Sequence, residues 1–126
     1  MTPPFKELPG LRVNIDQVVY MPDLDAPADR PHPFVYFLTI VNESDETVTI
    51  KGRKWVVTDE ENNKLVVEGD GVVGRFPRLE PGESFSYNSC HVIATDSAAE
   101  GALIGLSEDG IPVIVRIPRF TMDVPE

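Results

Sequence analysis

The feature that most limits what this chain can fold into is the grouping of its apolar residues. They occur in short runs rich in Val, Ile, Phe and Tyr, and clusters of Pro, Gly, Asn and Asp separate the runs. No segment shows the sustained spacing of an amphipathic helix. Runs of this kind are typical of strands joined by turns, so the sequence predicts an all-β fold.

The apolar runs predict about seven strands. We expect them at residues 11–20, 34–41, 47–58, 65–68, 84–92, 102–107 and 111–120. Residues 22–33 include four prolines, which cannot donate to a sheet, and are expected to form a long exposed loop. Residues 93–100 are expected to be irregular, with one helical turn at 97–100 as an option.

In the third predicted strand the alternation of apolar and polar residues shifts by one position. Val48 and Ile50 share one parity, whereas Trp55 and Val57 share the other. Both pairs can face a core only if one extra residue lies between them, which predicts a β-bulge near Gly52. About seven short strands, one buried tryptophan and no crossover helix predict a two-sheet β-sandwich of the immunoglobulin or fibronectin-III type. A closed barrel is the alternative.

Composition narrows the functions that are open to the chain. Its net charge of −10 opposes binding to nucleic acid or to an anionic membrane surface. The N-terminal stretch lacks the layout of an export signal and the single cysteine excludes an intramolecular disulfide, so we expect a cytoplasmic protein. Its length allows one domain, 1–126, with a core at about 11–120.

Residues suited to catalysis or metal binding do not form a recognisable pattern. Cys90 and His91 are neighbours, but successive side chains of a strand point to opposite faces, so His91 is badly placed to activate Cys90. Cys90 is expected to be a core or half-buried thiol. The sequence has no cluster with zinc-ligand spacing. We therefore predict no catalytic residue, no metal site and no cofactor.

One motif, Gly69-Asp-Gly71-Val-Val-Gly74, matches the dinucleotide-binding pattern G-x-G-x-x-G. That function needs a strand before the glycines and a helix that begins at them. A strand is predicted before the motif, but Pro77 and Pro81 exclude a helix after it. The motif therefore does not predict a Rossmann fold.

Two interpretations of the glycine motif remain. In the first it is a structural loop, in which the glycines adopt positive φ or allow close packing while Val72 and Val73 anchor the loop to the core. In the second its N–H groups bind an anion with the help of nearby cations. The corresponding anion or partner site comprises Arg53, Lys54, Gly69, Gly71, Gly74, Arg75 and Arg78.

Several segments between Phe34 and Phe120 resemble the ApaG family in order and spacing. They are Phe37-Leu-Thr-Ile-Val-Asn-Glu-Ser44, Arg53-Lys-Trp55, Val67-Glu-Gly-Asp-Gly-Val-Val-Gly74, Pro77-Arg-Leu-Glu-Pro-Gly-Glu-Ser-Phe-Ser-Tyr87 and Ile117-Pro-Arg-Phe120. The resemblance implies an immunoglobulin- or fibronectin-like sandwich and no agreed enzymatic reaction. Bacterial relatives are often encoded beside a diadenosine tetraphosphate hydrolase and are linked to cobalt resistance and magnesium efflux. A related domain of some F-box proteins implies protein interaction.

Two functions follow as hypotheses. The first is a non-catalytic binding module, a monomer or homodimer, that recognises a protein partner or a small phosphate anion; the resemblance adds a link to divalent-cation homeostasis. The second is a phosphoanhydride- or nucleotide-binding protein, or a weak metal-assisted hydrolase, that uses the loop Gly69–Gly74. The only carboxylates beside that loop are those of Glu68, Asp70 and Glu80.

Overall fold

The computed structural model describes residues 5–125, which form eight strands and no helix. The strands are β1 (Leu11–Tyr20), β2 (His32–Asn42), β3 (Val48–Asp59), β4 (Lys64–Asp70), β5 (Arg78–Leu79), β6 (Ser84–Ile93), β7 (Ser97–Ser107) and β8 (Pro112–Met122). Residues 1–4 and 126 lie outside this description, and so does the start of the stretch considered as an export signal. The all-β prediction is confirmed, with the two-residue strand β5 in addition to the seven expected strands.

The strands form two antiparallel sheets rather than a closed barrel. One has the order β1-β2-β6 and the other the order β4-β3-β7-β8, with β5 paired to the start of β3. The core lies between them and includes Leu38, Ile40, Trp55 and Leu103, all almost fully buried. Strands β1 and β8 pack together along one side. The edge strands β4 and β6 lie along the other, which leaves that side of the sandwich open.

Strand β3 contains the predicted bulge. Its register against β7 shifts between Ile50 and Gly52, so Lys51 is the additional residue. The shift keeps Ile50 on the core side before the bulge and Trp55 on the core side after it; only 1% of each residue is exposed. It also turns Arg53 toward the interior, because this residue has the same parity as Trp55.

The expectation for residues 93–100 was wrong in part, because Ser97 to Glu100 begin strand β7 rather than a helical turn. Strand β7 pairs with β3 on one side and β8 on the other, and this pairing overrides the helical preference of alanine. A Cβ atom at Gly101 would collide with the carbonyl oxygen of Lys54, which explains the glycine at this position.

The proline-rich loop is shorter than expected, since β2 begins at His32 rather than Phe34. Pro33 takes part in the sheet through its carbonyl oxygen, which accepts a hydrogen bond of 2.9 Å from the N–H of Met21. The missing N–H of Pro33 thus does not keep this residue out of the strand.

Candidate functional site

The glycine motif bridges the bulge of β3. It leaves strand β4 after Asp70 and returns as β5, so the same edge of β3 is covered before and after Lys51. The N–H of Gly71 donates to the oxygen of Lys51 (2.8 Å), and the oxygen of Pro77 accepts from the N–H of Ile50 (2.8 Å). The loop thus pairs the backbone groups of β3 that lie between its pairings with β4 and β5.

The centre of the motif is a two-residue hairpin turn. Val72 and Arg75 exchange two backbone hydrogen bonds of 2.9 Å, and the residues between them have positive φ, 46° at Val73 and 76° at Gly74. Two successive positive φ angles are the signature of a type I′ turn. Val72 is fully buried, as predicted, but Val73 is 48% exposed, so its predicted anchoring role was wrong. Val73 lies at the tip of this turn, so its side chain points outward.

The other two glycines of the motif have different roles. Gly71 has a φ of 61° and packs so closely on the carbonyl of Arg75 that a side chain would not fit. Gly69 lies in β4 opposite Arg53, and a Cβ atom there would lie 2.6 Å from the guanidinium. The first glycine therefore makes room for the side chain of Arg53.

The cations assigned to one site by sequence do not meet in the structure. Lys54 lies on the outer face of β3, 3.6 Å from the carboxylate of Glu68. Arg78 pairs with Glu80 and Glu108 at the other end of the strand. Arg75 is exposed on the hairpin turn. Arg53 alone among them faces the interior.

A cleft opens between the edge strands β4 and β6, with a volume of about 250 Å³. We call it the edge cleft. Its lining includes Arg30, Tyr36, Arg53, Trp55, Val67 and His91. A second hollow of about 200 Å³ continues it toward Asp59 and Thr95, and Arg30 contributes to both. The open side of the sandwich thus carries an elongated groove with an aromatic base.

His91 is the most unusual residue of the edge cleft. It is only 8% exposed, and its Nε2 atom is buried without a hydrogen-bond partner among residues 5–125. The imidazole packs against the rings of Tyr36 and Trp55, each with a centroid distance of 4.7 Å. Burial lowers the pKa of His91 to about 4, so the ring is neutral at pH 7.

Arg53 is held beside this aromatic base by the loop. Its Nη1 atom donates to the backbone oxygens of Asp70 (2.8 Å) and Gly71 (3.1 Å). Within the described part of the chain it forms no ion pair with a carboxylate. Burial raises the pKa of Tyr36 and of Tyr87, and the nearby charge of Arg53 opposes that rise.

Tyr87 carries the second buried atom without a partner in residues 5–125, its hydroxyl oxygen. Tyr87 and His91 escaped the sequence prediction, although the alternation of β6 places both on the core face with Phe85. Which of these polar atoms stays unpaired depends on distances between strands. A single sequence does not contain these distances.

Cys90 lies on the opposite face of β6 from His91, as the alternation predicted. Its side chain is exposed rather than half-buried, so that part of the prediction was wrong. The reason is that β6 is an edge strand whose outer face is not covered. The arrangement provides no thiol–imidazole pair at these two positions.

No three His, Cys, Asp or Glu side chains between residues 5 and 125 come close enough to share a metal ion. No helix in this range is long and apolar enough to cross a membrane.

Comparison with known proteins identifies relatives of the whole sandwich. The ApaG domain family matches residues 22–104. The ApaG protein of Brucella abortus (strain S19) is 36% identical over 121 residues, which cover 93% of this chain and 90% of the relative. The ApaG protein of Acidovorax sp. (strain JS42) is 35% identical over 108 residues, or 85% and 79% of the two chains.

A solved structure extends the comparison to three dimensions. The crystal structure of the ApaA protein from Bordetella pertussis superposes with a TM-score of 0.82 at 32% identity, and the match covers 97% of this chain and 98% of that one. The sequence matches and the shared sandwich agree over nearly the whole length. This chain therefore belongs to the ApaG family.

Proposed function

We propose that this chain is a non-catalytic binding module whose ligand occupies the edge cleft. The observation that supports the proposal is the buried imidazole of His91 in the lining of the cleft, whose Nε2 atom has no hydrogen-bond partner among residues 5–125. An unsatisfied buried polar atom costs about 1 to 3 kcal/mol, and such atoms in proteins nearly always have a partner. Less than 1 Å² of this atom is open to solvent, so a ligand in the cleft supplies that partner only when the side chains beside the imidazole shift on binding.

The arrangement around the cleft favours binding over turnover. His91 is neutral and packs against Trp55. Among the described residues no carboxylate forms a hydrogen bond with its ring, so none orients it as a general base. The alternative, a phosphoanhydride site on the glycine loop, has less support. The N–H groups of Gly71, Val72 and Arg75 already donate within the fold, so they are not available to phosphate oxygens.

The proposal is tested by NMR titration of the isotope-labelled protein. The probes are phenylacetate, its neutral amide, phenyl phosphate and pyrophosphate, and the observed signals are the Trp55 indole and the His91 imidazole. We expect at least one aromatic probe to shift both signals saturably and to be recovered unchanged. No shift from any probe contradicts the proposal. Hydrolysis of pyrophosphate, ATP or diadenosine tetraphosphate with magnesium or cobalt supports the enzymatic alternative instead.

A further inference from the structure

We propose that the edge cleft binds a carboxylate carried on an apolar group, with the carboxylate on Arg53 and the apolar group against Leu65 and Val67, beside Trp55. This inference rests on the proposed function and adds the chemical class of the ligand. It follows from the contacts that hold Arg53, from the charge of the cleft and from the residues that line it.

Arg53 is built to present a fixed guanidinium edge. Two backbone oxygens, of Asp70 and Gly71, hold Nη1, and the absence of a side chain at Gly69 lets the group lie against β4. Among residues 5–125 its Nη2 and Nε atoms have no hydrogen-bond acceptor. A guanidinium held in this way matches the two oxygens of a carboxylate with little loss of side-chain entropy.

The charge of the cleft suits a single negative charge. Arg30 is the other cation of its lining, and it also borders the continuing hollow. A pyrophosphate or triphosphate carries more charge than these side chains can offset, and no described cluster of ligands holds a metal ion that would assist. A monocarboxylate leaves no excess negative charge in the cleft of a chain whose net charge is already −10.

On the β3 and β4 side the remaining lining is apolar, whereas β6 contributes Ser89 and Cys90. Trp55 forms the base of the cleft, and Val57, Leu65 and Val67 continue it along β3 and β4. Trp55 and Val57 are 1% and 7% exposed, so the apolar surface that water reaches here is that of Leu65 and Val67. A ligand that placed only a charged group in the cleft would leave this surface in contact with water. An aromatic or branched aliphatic group attached to the carboxylate covers it, at about 25 cal/mol per Å² of apolar surface buried.

Two sources can supply this chemistry: a free aromatic or aliphatic acid, and the C-terminal carboxylate of a protein that ends in an apolar residue. The probes distinguish them. Phenylacetate represents the first source and is compared with phenylacetamide. The peptide acetyl-Gly-Gly-Ser-Phe represents the second and is compared with the same peptide ending in a C-terminal amide. Binding of either carboxylate with selectivity over its amide supports the proposal and identifies the source.

The expected result is that a carboxylate binds at least about tenfold more tightly than the matched amide, since charge-assisted hydrogen bonds to Arg53 are lost in the amide. Arg53→Gln should abolish that selectivity. Gly69→Ala should do the same without altering Arg53 itself, because the added methyl would lie 2.6 Å from the guanidinium and displaces it from the position in which Asp70 and Gly71 hold it. Lys54→Gln removes the neighbouring cation on the outer face and should leave the selectivity intact.

Circular dichroism and thermal melting establish that each variant is folded. Equal binding of carboxylate and amide overturns the inference while the proposed function stands. An effect of Lys54→Gln as large as that of Arg53→Gln also overturns it, because the selectivity then reflects net charge alone. If no carboxylate or amide shifts the Trp55 signal, both the inference and the proposed function fail.

Discussion

The buried imidazole of His91 should make the stability of the fold depend on pH. Its pKa is lowered by burial from 6.5 to about 4 in the folded chain. The unfolded chain therefore binds a proton near pH 6.5, whereas the folded chain binds it only near pH 4. Because the folded pKa is the lower one, stability is unaffected above pH 6.5 and is lost as the pH falls from 6.5 to 4.

The size of the loss follows from the two pKa values. At pH 7 both states are mostly neutral and the effect is a few tenths of a kcal/mol or less. At pH 5 nearly all unfolded chains are protonated at His91 while few folded chains are, which lowers the free energy of unfolding by about 2 kcal/mol. By pH 4 the loss approaches about 3 kcal/mol, a large part of the stability of an ordinary small domain.

The variant His91→Phe isolates this contribution. Phenylalanine keeps a ring against Trp55 and Tyr36 but removes both the titration and the unpartnered Nε2 atom. We expect it to be more stable than the parent chain by about 1 kcal/mol at pH 7. Since other groups titrate equally in both proteins, the difference should grow by about 2 kcal/mol at pH 5.

Urea unfolding at pH 7 and pH 5, followed by Trp55 fluorescence and circular dichroism, measures this double difference. An NMR titration in a His32→Gln background assigns the remaining imidazole signals to His91. Equal loss of stability in the parent chain and in His91→Phe between the two pH values would refute the reasoning. So would an imidazole that titrates near pH 6.5 in the folded protein.

Four further substitutions test how the sandwich is held together, and urea unfolding at pH 7 measures each. Trp55→Ala should cost about 3 to 5 kcal/mol, because it empties the centre of the core; a loss below 1 kcal/mol would contradict that placement. Asn42→Leu should cost about 2 to 4 kcal/mol, since the buried amide donates to two backbone oxygens at 2.8 and 2.9 Å that would lose their partner. Gly101→Ala should destabilise far more than Gly74→Ala: a side chain collides with backbone at the first site, whereas at the second it meets open space and costs only about 1 to 2 kcal/mol for its positive φ. The opposite order of the two glycine variants would show that close approach is not what β7 requires.

Much of the fold could be predicted because each strand carries its own pattern. The phase change between Ile50 and Trp55 located the bulge to within a residue, since both side chains must be buried. Ser97 to Glu100 could not be assigned in the same way. Their small side chains suit a helix locally, and only the close approach of Gly101 to β3 shows why they form a strand.

The site was predictable only in part. Arg53 was among the predicted site residues, and its inward direction follows from the bulge. Lys54 was grouped with it as its neighbour in sequence, and Arg78 because it follows the glycine motif, whereas strand alternation and the path of the loop carry them to other surfaces. The unpartnered state of His91 depends on how β6 lies against β2 and β3, which is a property of the folded sandwich.

The order of the strands has a consequence for how the chain folds. Strand β3 is central to its sheet, yet its long partner β7 follows only after β4, β5 and β6. Pairing runs from Asp59 with Ser97 to Val48 with Ser107, so it closes loops of about 40 to 60 residues. Contacts so distant in sequence make folding slow compared with that of helical domains. During synthesis, β3 can first form only its hairpin with β4, and one edge of this apolar strand stays unpaired until β7 has left the ribosome.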